Sequence, residues 1–236
     1  MSLYLVRARL RDDASVRALA PLLMPADGPA RASASHRLVW SLMPGDADAT
    51  RDFLWREEGP GRFMLLARRA PAPSTLFDVD HTPFAPELSP DDRLAFVLRA
   101  NPTVSVPGPR GVRGKRADVV MRALKPLPAK RAADDDVCLP TRATERSGLI
   151  KSAGTEWLEQ QGARHGFGIE TLEVDGYEPR RIARDGARPI AFATLDFAGV
   201  LAVRDPAAFM AALAAGFGRG RAFGCGLMLI RRAREG

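Results

Sequence analysis

The segment at residues 216–230, GFGRGRAFGCGLMLI, places five glycines and two arginines within its first eleven residues. Glycines next to cations are typical of loops that bind phosphate groups. A dinucleotide-binding G-x-G-x-x-G turn, however, needs a glycine where this chain has Arg221, and no Walker-type lysine follows a spaced glycine pair. The flanks also differ, because the residues before the loop predict a helix and those after it predict a strand. These features argue against a nucleotide cofactor.

The chain has three histidines, and histidine is the side chain best suited to proton transfer near neutral pH. His36 is expected near the amino end of a helix, with Ser33 or Ser35 as the N-cap. From its position alone it is either a proton-transfer group or a surface histidine. His81 and His165 are expected to be structural or exposed.

The net charge of +7 is concentrated in one part of the chain. The residues from Arg99 to Lys151 include twelve Lys or Arg and five Asp or Glu, whereas the rest of the chain is balanced. Such a basic segment attracts phosphate polyanions through charge and counterion release. The alternative is a solvated, partly disordered loop insertion, which is the usual behaviour of a charge run.

Composition predicts a globular protein without a metal or a cofactor. No stretch reaches the ~18 apolar residues of a membrane helix, and the sequence MSLYLVRARL has charges where a signal peptide has its apolar core. We therefore expect a cytoplasmic protein that does not contact membranes. Cys138 and Cys225 lack a C-x-x-C partner, so they are expected to be ordinary buried or half-exposed thiols.

The first half of the chain predicts a β-α-β-β-x-β order. The sequence LYLVRARL favours a strand, a polar and proline-rich linker is expected up to Ala32, and SHRLVWSLM favours a helix. A hairpin follows, formed by DFLWREE and RFMLLARRAP around the glycines at 59 and 61, and a short strand is expected near residues 75–81. This order is that of a ferredoxin-like module whose second helix is reduced.

The second half repeats the order more completely, as β-α-β-β-α-β. Strands are predicted for RLAFVLRA, GIETLEVDGYEPRRIA, PIAFATLDFAGVLAV and CGLMLIRRA, and helices for GLIKSAGTEWLEQQGARHG and PAAFMAALAAGF. We therefore predict an α+β protein of two tandem ferredoxin-like (RRM-like) domains, residues 1–88 and residues 89–236, with the boundary near Pro83 to Pro90. Phe167, in a partial match to the RNA-recognition signature, is predicted to be a core residue, with base stacking as the alternative.

Five ordered blocks of the sequence resemble one known family. The blocks LYLVRARL, SHRLVW, ATRDFLWR, LAFVLRANPT and GFGRGRAFGCGLMLI are similar to those of the CasE family, the endoribonucleases that process CRISPR repeat RNA in the type I-E Cascade complex. The resemblance runs from residue 3 to residue 232 and is weakest in the basic insertion. It implies a metal-independent endoribonuclease that cuts on the 3′ side of the repeat hairpin by 2′-OH attack. It also implies that the product ends in a 2′,3′-cyclic phosphate and that the glycine-rich loop supports RNA and the catalytic site.

The resemblance also implies which residues form the site. His36 and Arg221 are expected to be catalytic, with Arg221 where relatives commonly have lysine. The expected RNA-binding residues are Arg37, Lys115, Arg116, Arg180, Arg181, Arg219, Gly218 and Gly220. For Arg219 the alternative is a solubilising surface residue. Arg99 and Asn101, in the block LAFVLRANPT, either take part in the site or hold the interface between the two domains. The implied partners are the repeat RNA (crRNA) and other Cascade subunits, especially the crRNA-backbone subunit, with target DNA reached only through the complex.

One departure from the family pattern concerns the residue one helical turn before His36. Many members carry a tyrosine there, whose hydroxyl assists proton transfer, whereas this chain has Ser33, which is too short to reach the same point. The second proton-transfer group therefore stays unassigned. The departure supports an alternative, a subunit that holds repeat RNA without cutting it. A third hypothesis is a metabolic enzyme or small-molecule binder in which the basic loop holds an anionic ligand.

Overall fold

A computed structural model describes residues 2–43, 51–110, 114–128, 141–182 and 188–234. The first module contains four strands and two helices: β1 (Tyr4–Leu10), α1 (Ala14–Leu23), α2 (Gly28–Ser41), β2 (Phe53–Gly59), β3 (Arg62–Ala67) and β4 (Phe77–Pro83). Its sheet has the order β2-β3-β1-β4, and each neighbouring pair is antiparallel. No helix lies between β3 and β4 in residues 68–76, as predicted for the reduced second helix.

The second module repeats this topology around an insertion. Its elements are β5 (Arg93–Ala100), β6 (Thr103–Val106), β7 (Lys115–Asp118), α3 (Val119–Leu124), α4 (Arg142–His165), β8 (Phe167–Ile182), β9 (Ile190–Val203), α5 (Pro206–Ala215), a 3₁₀ turn (Arg221–Phe223) and β10 (Met228–Arg232). The main sheet has the order β10-β5-β9-β8, again antiparallel, and β6 pairs with β7 in a separate ribbon. Two tandem ferredoxin-like folds are therefore confirmed.

The prediction of a linker up to Ala32 was wrong. Residues in this range form the whole of α1, which is capped by Asp13, and the first turn of α2. Asp27 caps α2, because its carboxylate accepts a hydrogen bond from the Ala30 amide at 2.8 Å. Proline in the first turn of α2 is compatible with a helix start, because that position has no intrahelical N–H bond to lose. His36 consequently lies in the second half of α2, and neither Ser33 nor Ser35 caps the helix.

The basic insertion has more regular structure than the loop-like sequence predicted. Thr103–Val106 and Lys115–Asp118 form a ribbon, and the carboxylate of Asp118 caps α3 by accepting from the Met121 amide at 2.8 Å. The basic residues Arg113, Lys130 and Arg131 lie outside the described residues. The fold therefore holds Lys115 and Arg116 on a defined strand.

The β2–β3 half of the first module's sheet is covered on both faces. Alternate residues of β2 and β3 pack against Leu38 and Val39 of α2 and against Leu42, its C-cap residue. The residues between them, which point to the other face, pack against Leu227 from the second module, in a cluster that contains Leu54, Met64 and Leu66. This explains why β3 is an uninterrupted apolar run rather than an alternating one.

Candidate functional site

The glycine-rich loop connects α5 to β10, and its five glycines all have positive φ. The φ values are 80°, 72°, 69°, 78° and 91° at Gly216, Gly218, Gly220, Gly224 and Gly226. At Gly218 a side-chain Cβ would also lie 2.8 Å from the carbonyl oxygen of Asn101. The glycines are therefore needed for a tightly wound backbone that approaches its neighbours closely.

Backbone and side-chain hydrogen bonds tie this loop to the end of β5. The Gly226 amide donates to the Arg99 carbonyl at 2.7 Å, and the Arg219 amide donates to the Asn101 carbonyl at 3.2 Å. The buried side chain of Asn101 donates to the Ala193 carbonyl at 2.6 Å, and Arg99 makes two 2.7 Å bonds to Asp196. Asp196 thereby raises the pKa of Arg99. These contacts give Arg99 and Asn101 structural roles within the second module, between β5, β9 and the loop; that they hold the interface between the modules stays a prediction.

His36 of the first module is oriented by the loop of the second. Its Nδ1 lies 2.8 Å from the carbonyl oxygen of Ala222. Because a carbonyl oxygen can only accept, Nδ1 carries the hydrogen, and in the neutral ring the lone pair is on Nε2. The half-buried imidazole also contacts the rings of Trp40 and Phe223, with centroids 6.3 Å and 5.8 Å away. Nε2 is thus the nitrogen available for proton transfer.

The strand β2 supports the same carbonyl and the helix that carries His36. Trp55 Nε1 donates to the Ala222 carbonyl at 3.2 Å. Ser35 and Arg31, both on α2, donate to the two carboxylate oxygens of Glu57 on β2, at 3.1 Å and 2.8 Å. Helix, strand and loop are therefore joined around the imidazole, which limits its movement.

Two guanidinium groups lie near this centre without an acidic partner among the described residues. Arg221, which directly precedes Ala222, donates from Nε to the Gly218 carbonyl at 3.3 Å, and burial lowers its pKa. Arg51 lies just before β2, and its pKa is lowered first by burial and then by the charge of Arg221. Two close, partly desolvated cations favour an anionic ligand between or beside them. The sequence analysis missed Arg51, although it belongs to the block ATRDFLWR.

The predicted RNA-binding residues separate into two hollows and an exposed set. A hollow of about 400 Å³, here called the basic cleft, is lined by Arg116, Arg219, Gly220, Asn101, Phe192 and Phe223. A smaller hollow of about 100 Å³, the junction recess, is lined by Arg180, Arg31, Ser35, Glu57, Phe192 and Phe223.

The remaining predicted residues lie outside both hollows. Arg37, Lys115 and Arg181 are exposed, and Arg181 points away from Arg180 because successive strand residues alternate. Gly218 faces the Asn101 carbonyl and the ring of Trp157. Arg180, which lines the junction recess, is paired with Glu178 at 2.7 Å. The structure thus brings together Arg116, Arg219 and Gly220, but not the whole predicted set.

The other titratable and aromatic candidates are structural. His81 is exposed beside Tyr4, and His165 packs edge-on against Phe217, with a pKa lowered by burial and then by Arg164. Phe167 is 3% exposed, and its ring packs against the rings of Phe209 and Phe217. It is a core residue, as predicted, and its ring is not available for base stacking.

Two further observations bear on the sequence predictions. Cys225 is buried, which raises the pKa of its thiol to about 12, and Cys138 lies outside the described residues. In the ranges that the structure describes, no three His, Cys, Asp or Glu side chains come together as metal ligands. Nor do these ranges include a helix with the length and apolar character needed to cross a membrane.

Fold and site together define a class, a tandem ferredoxin-like protein with a histidine and two cations at the junction of its modules. The chain belongs to the CRISPR associated protein family, whose family model matches residues 3–232. This confirms the family relationship inferred from the five sequence blocks. A comparison with curated protein sequences found no match.

Solved structures share the fold over the full chain. Cse3 of Thermus thermophilus bound to an RNA representing a pre-cleavage complex is 22% identical, with a TM-score of 0.65 and coverage of 98% of this chain and 100% of that one. Cas6e of Escherichia coli K-12 is 20% identical, with a TM-score of 0.60 and coverage of 98% and 100%. A chain of a CRISPR RNA-guided surveillance complex is 19% identical, with a TM-score of 0.57 and coverage of 99% and 100%. At these identities the likeness establishes the fold.

Proposed function

We propose that this protein is a metal-independent endoribonuclease that binds the hairpin of CRISPR repeat RNA and cuts precursor crRNA on the 3′ side of the stem. The hydrogen bond from His36 Nδ1 to the Ala222 carbonyl carries the proposal, because it presents Nε2 for proton transfer at a junction with two unneutralised cations. In this proposal residues 1–88 supply the catalytic histidine and residues 89–236 supply most of the RNA contacts.

The reaction uses the substrate's own hydroxyl as nucleophile. A base removes the proton of the 2′-OH, the oxygen attacks the adjacent phosphorus, and the bond from phosphorus to the 5′ oxygen breaks. An acid then protonates the departing oxygen, so the fragments end in a 2′,3′-cyclic phosphate and a 5′-OH. His36 performs one of these two proton transfers, as base or as acid. The partner for the other transfer is not assigned.

Arg221, with Arg51 beside it, stabilises the negative charge that builds on the phosphate oxygens. Cations placed in a partly desolvated site stabilise such charge more than they do in water. Arg37, Lys115, Arg116, Arg180, Arg181, Arg219 and the backbone at Gly218 and Gly220 are proposed to contact the RNA. In this proposal the cations at the junction of the two modules stabilise the transition state, and the surrounding basic surface supplies the affinity for RNA.

The proposed partners follow from the family and from the molecules with the same fold. Those molecules include an RNA-bound Cse3 and a chain of a surveillance complex. We propose that this protein keeps its cleaved crRNA and stays in a type I-E Cascade complex, next to the crRNA-backbone subunit. It would then act in the cytoplasm and reach target DNA only through the complex.

A cleavage assay with one repeat RNA tests the mechanism. The wild type should cut at one position, also in the presence of a chelator. Deoxyribose at the single position upstream of the cut should abolish cleavage while leaving binding nearly unchanged, because only the nucleophile is removed. Cleavage of the deoxy-substituted RNA, or loss of cleavage with chelator, would contradict the mechanism.

A second candidate function is a subunit that holds repeat RNA without cutting it. Ser33 favours this candidate, since it lies one helical turn before His36, where the family commonly has tyrosine. The same assay separates the two, because tight binding without cleavage supports the holding function. Failure to bind repeat RNA would contradict both and favour a small anionic ligand. If a hydroxyl near His36 limits the rate, Ser33→Tyr should increase it.

A further inference from the structure

Two half-buried phenylalanines form a stacked pair close to the catalytic histidine. Phe192 is on β9 and Phe223 ends the 3₁₀ turn, and their ring centroids are 5.8 Å apart with an interplanar angle of 27°. The ring of Phe223 lies equally far, 5.8 Å, from the ring of His36. The three rings form a continuous row from β9 to the site of proton transfer.

The pair differs from the aromatic contacts of the core because it borders open space. Phe192 and Phe223 line both the basic cleft and the junction recess. By contrast, Phe167 and Phe209 are 3% and 0% exposed. Part of the Phe192–Phe223 surface is therefore free to contact a ligand. A cleft of about 400 Å³ is within the range of small-molecule sites, large enough for one nucleobase.

The charges around the cleft favour a nucleotide over an uncharged ligand. Arg116 and Arg219 lie on its wall, and neither has an ion-pair partner among the described residues. Asp118 also lines the cleft, where its Oδ1 accepts hydrogen bonds from Tyr177 at 3.1 Å and from the Met121 amide at 2.8 Å and its Oδ2 is buried. The two arginines outnumber this one carboxylate. An aromatic surface flanked by unpaired arginines is the combination by which proteins bind single-stranded nucleic acid.

We propose that the basic cleft binds the first unpaired nucleotide on the 3′ side of the cut, with its base stacked on the Phe192 ring of the Phe192–Phe223 pair. The nucleotide on the 5′ side belongs to the stem, so its base is already paired, whereas the 3′ neighbour has a free face. The base would lie against the Phe192 end and its backbone near Arg116 and Arg219. This inference rests on the proposed function and adds a subsite for the leaving strand.

Such a subsite would hold the leaving strand on the Phe192 side of the imidazole. Anchoring a base at the end of the row of rings limits the movement of the strand that carries the departing oxygen. Stacking of a base on an aromatic side chain changes affinity roughly tenfold or more, and it tolerates any base because every base has a π-face. The cleft is therefore expected to select for an unpaired base rather than for a particular sequence.

The test measures binding rather than cleavage, so that it is independent of the reaction. The RNA is the repeat hairpin with deoxyribose upstream of the cut, prepared with a normal or an abasic nucleotide directly downstream. The proteins are the wild type, Phe192→Leu, which keeps an apolar side chain of similar size, and Phe192→Tyr, which keeps the aromatic face. Thermal unfolding confirms that each variant is folded.

The wild type and Phe192→Tyr should bind the abasic RNA roughly tenfold more weakly than the intact RNA. Phe192→Leu should bind both RNAs equally and about as weakly as the wild type binds the abasic one. Equal binding of both RNAs by the wild type, or the same penalty in Phe192→Leu, would overturn the inference while leaving the proposed function intact. Failure of the wild type to bind either RNA would instead contradict the proposed function itself.

Discussion

The two modules share a strand order but differ in what covers their sheets. In the first module, helix α2 packs on one face, and Leu227 of the second module packs on the other. In the second module, helices cover one face with a large apolar core. Its other face carries the Arg99–Asp196 ion pair, Phe192 and Arg180, which alternate along the strands with core residues.

This difference indicates which parts of the proposed site each copy of the repeated fold can supply. The β2–β3 half of the first sheet is buried on both faces, so the first module contributes to the proposed site from outside its sheet, through His36 and Arg37 of α2 and Arg51 before β2. A sheet with one polar face can line hollows and present cations. Proton transfer is therefore expected to depend on the first module, and most of the RNA affinity on the second.

The sharpest test of this division is His36→Ala. Loss of a proton-transfer group should slow cleavage by roughly 10²-fold or more, with little change in RNA affinity. Single-turnover cleavage and equilibrium binding of the repeat RNA measure the two quantities separately. His81→Ala, which changes the exposed histidine on β4, is the matched control and should keep full activity. A fully active His36→Ala would assign proton transfer to another residue.

Removal of the contact that covers the second face of the first sheet should lower stability. Leu54 is 4% exposed and packs in the cluster that contains Leu227. Leu54→Ala should reduce the free energy of unfolding by about 2–5 kcal/mol, because it leaves a cavity between the modules. Denaturant titration measures this change. Leu22→Ala, at a site that is 74% exposed, is the control. Equal effects of the two variants would contradict the burial of this part of the first sheet against the second module.

A substitution in the loop should disturb the histidine from a distance. Gly218→Ala introduces a Cβ 2.8 Å from the Asn101 carbonyl at a residue with φ of 72°, so the loop must move. Displacement of the Ala222 carbonyl should then reduce the cleavage rate by about tenfold, the scale of a misplaced catalytic group. Gly148→Ala on α4 meets nothing within 4 Å and should leave the rate unchanged. An unaffected rate in Gly218→Ala would separate the loop from the orientation of His36.

The smallest expected effect is a change in salt dependence. With roughly six phosphates neutralised, the slope of log affinity against log salt should be about −4 to −5. Replacing Lys115 and Arg116 together by glutamate should weaken binding and flatten that slope by about 1.4 to 1.8. Arg231→Glu on β10 is the control for altered charge. An unchanged slope in the double variant would remove the β6–β7 ribbon from the RNA interface.

The sequence predicted an element correctly where its burial leaves a clear periodic pattern, and missed it where that pattern is weak. β5 was predicted at its observed limits because its apolar residues alternate with polar ones. Helix α1 was missed because its interior Pro21 and the following Pro25 resemble a linker, although Asp13 offered a cap signal. The ribbon of the basic insertion was missed because its strands are only four residues long and none of their residues is buried, so periodicity carried little information.

The sequence by itself determined the fold class, the family and the choice of His36, because strand periodicity, glycine positions and ordered motifs are all local patterns. The tertiary structure alone decided the rest of the site. The Ala222 carbonyl that orients His36 lies 186 residues away along the chain. Arg51 approaches Arg221 only through the packing of the two modules, and Phe192 meets Phe223 only because the glycine-rich loop packs against β9. Local patterns report which face of an element is buried, whereas contacts between distant elements depend on how those faces are packed together.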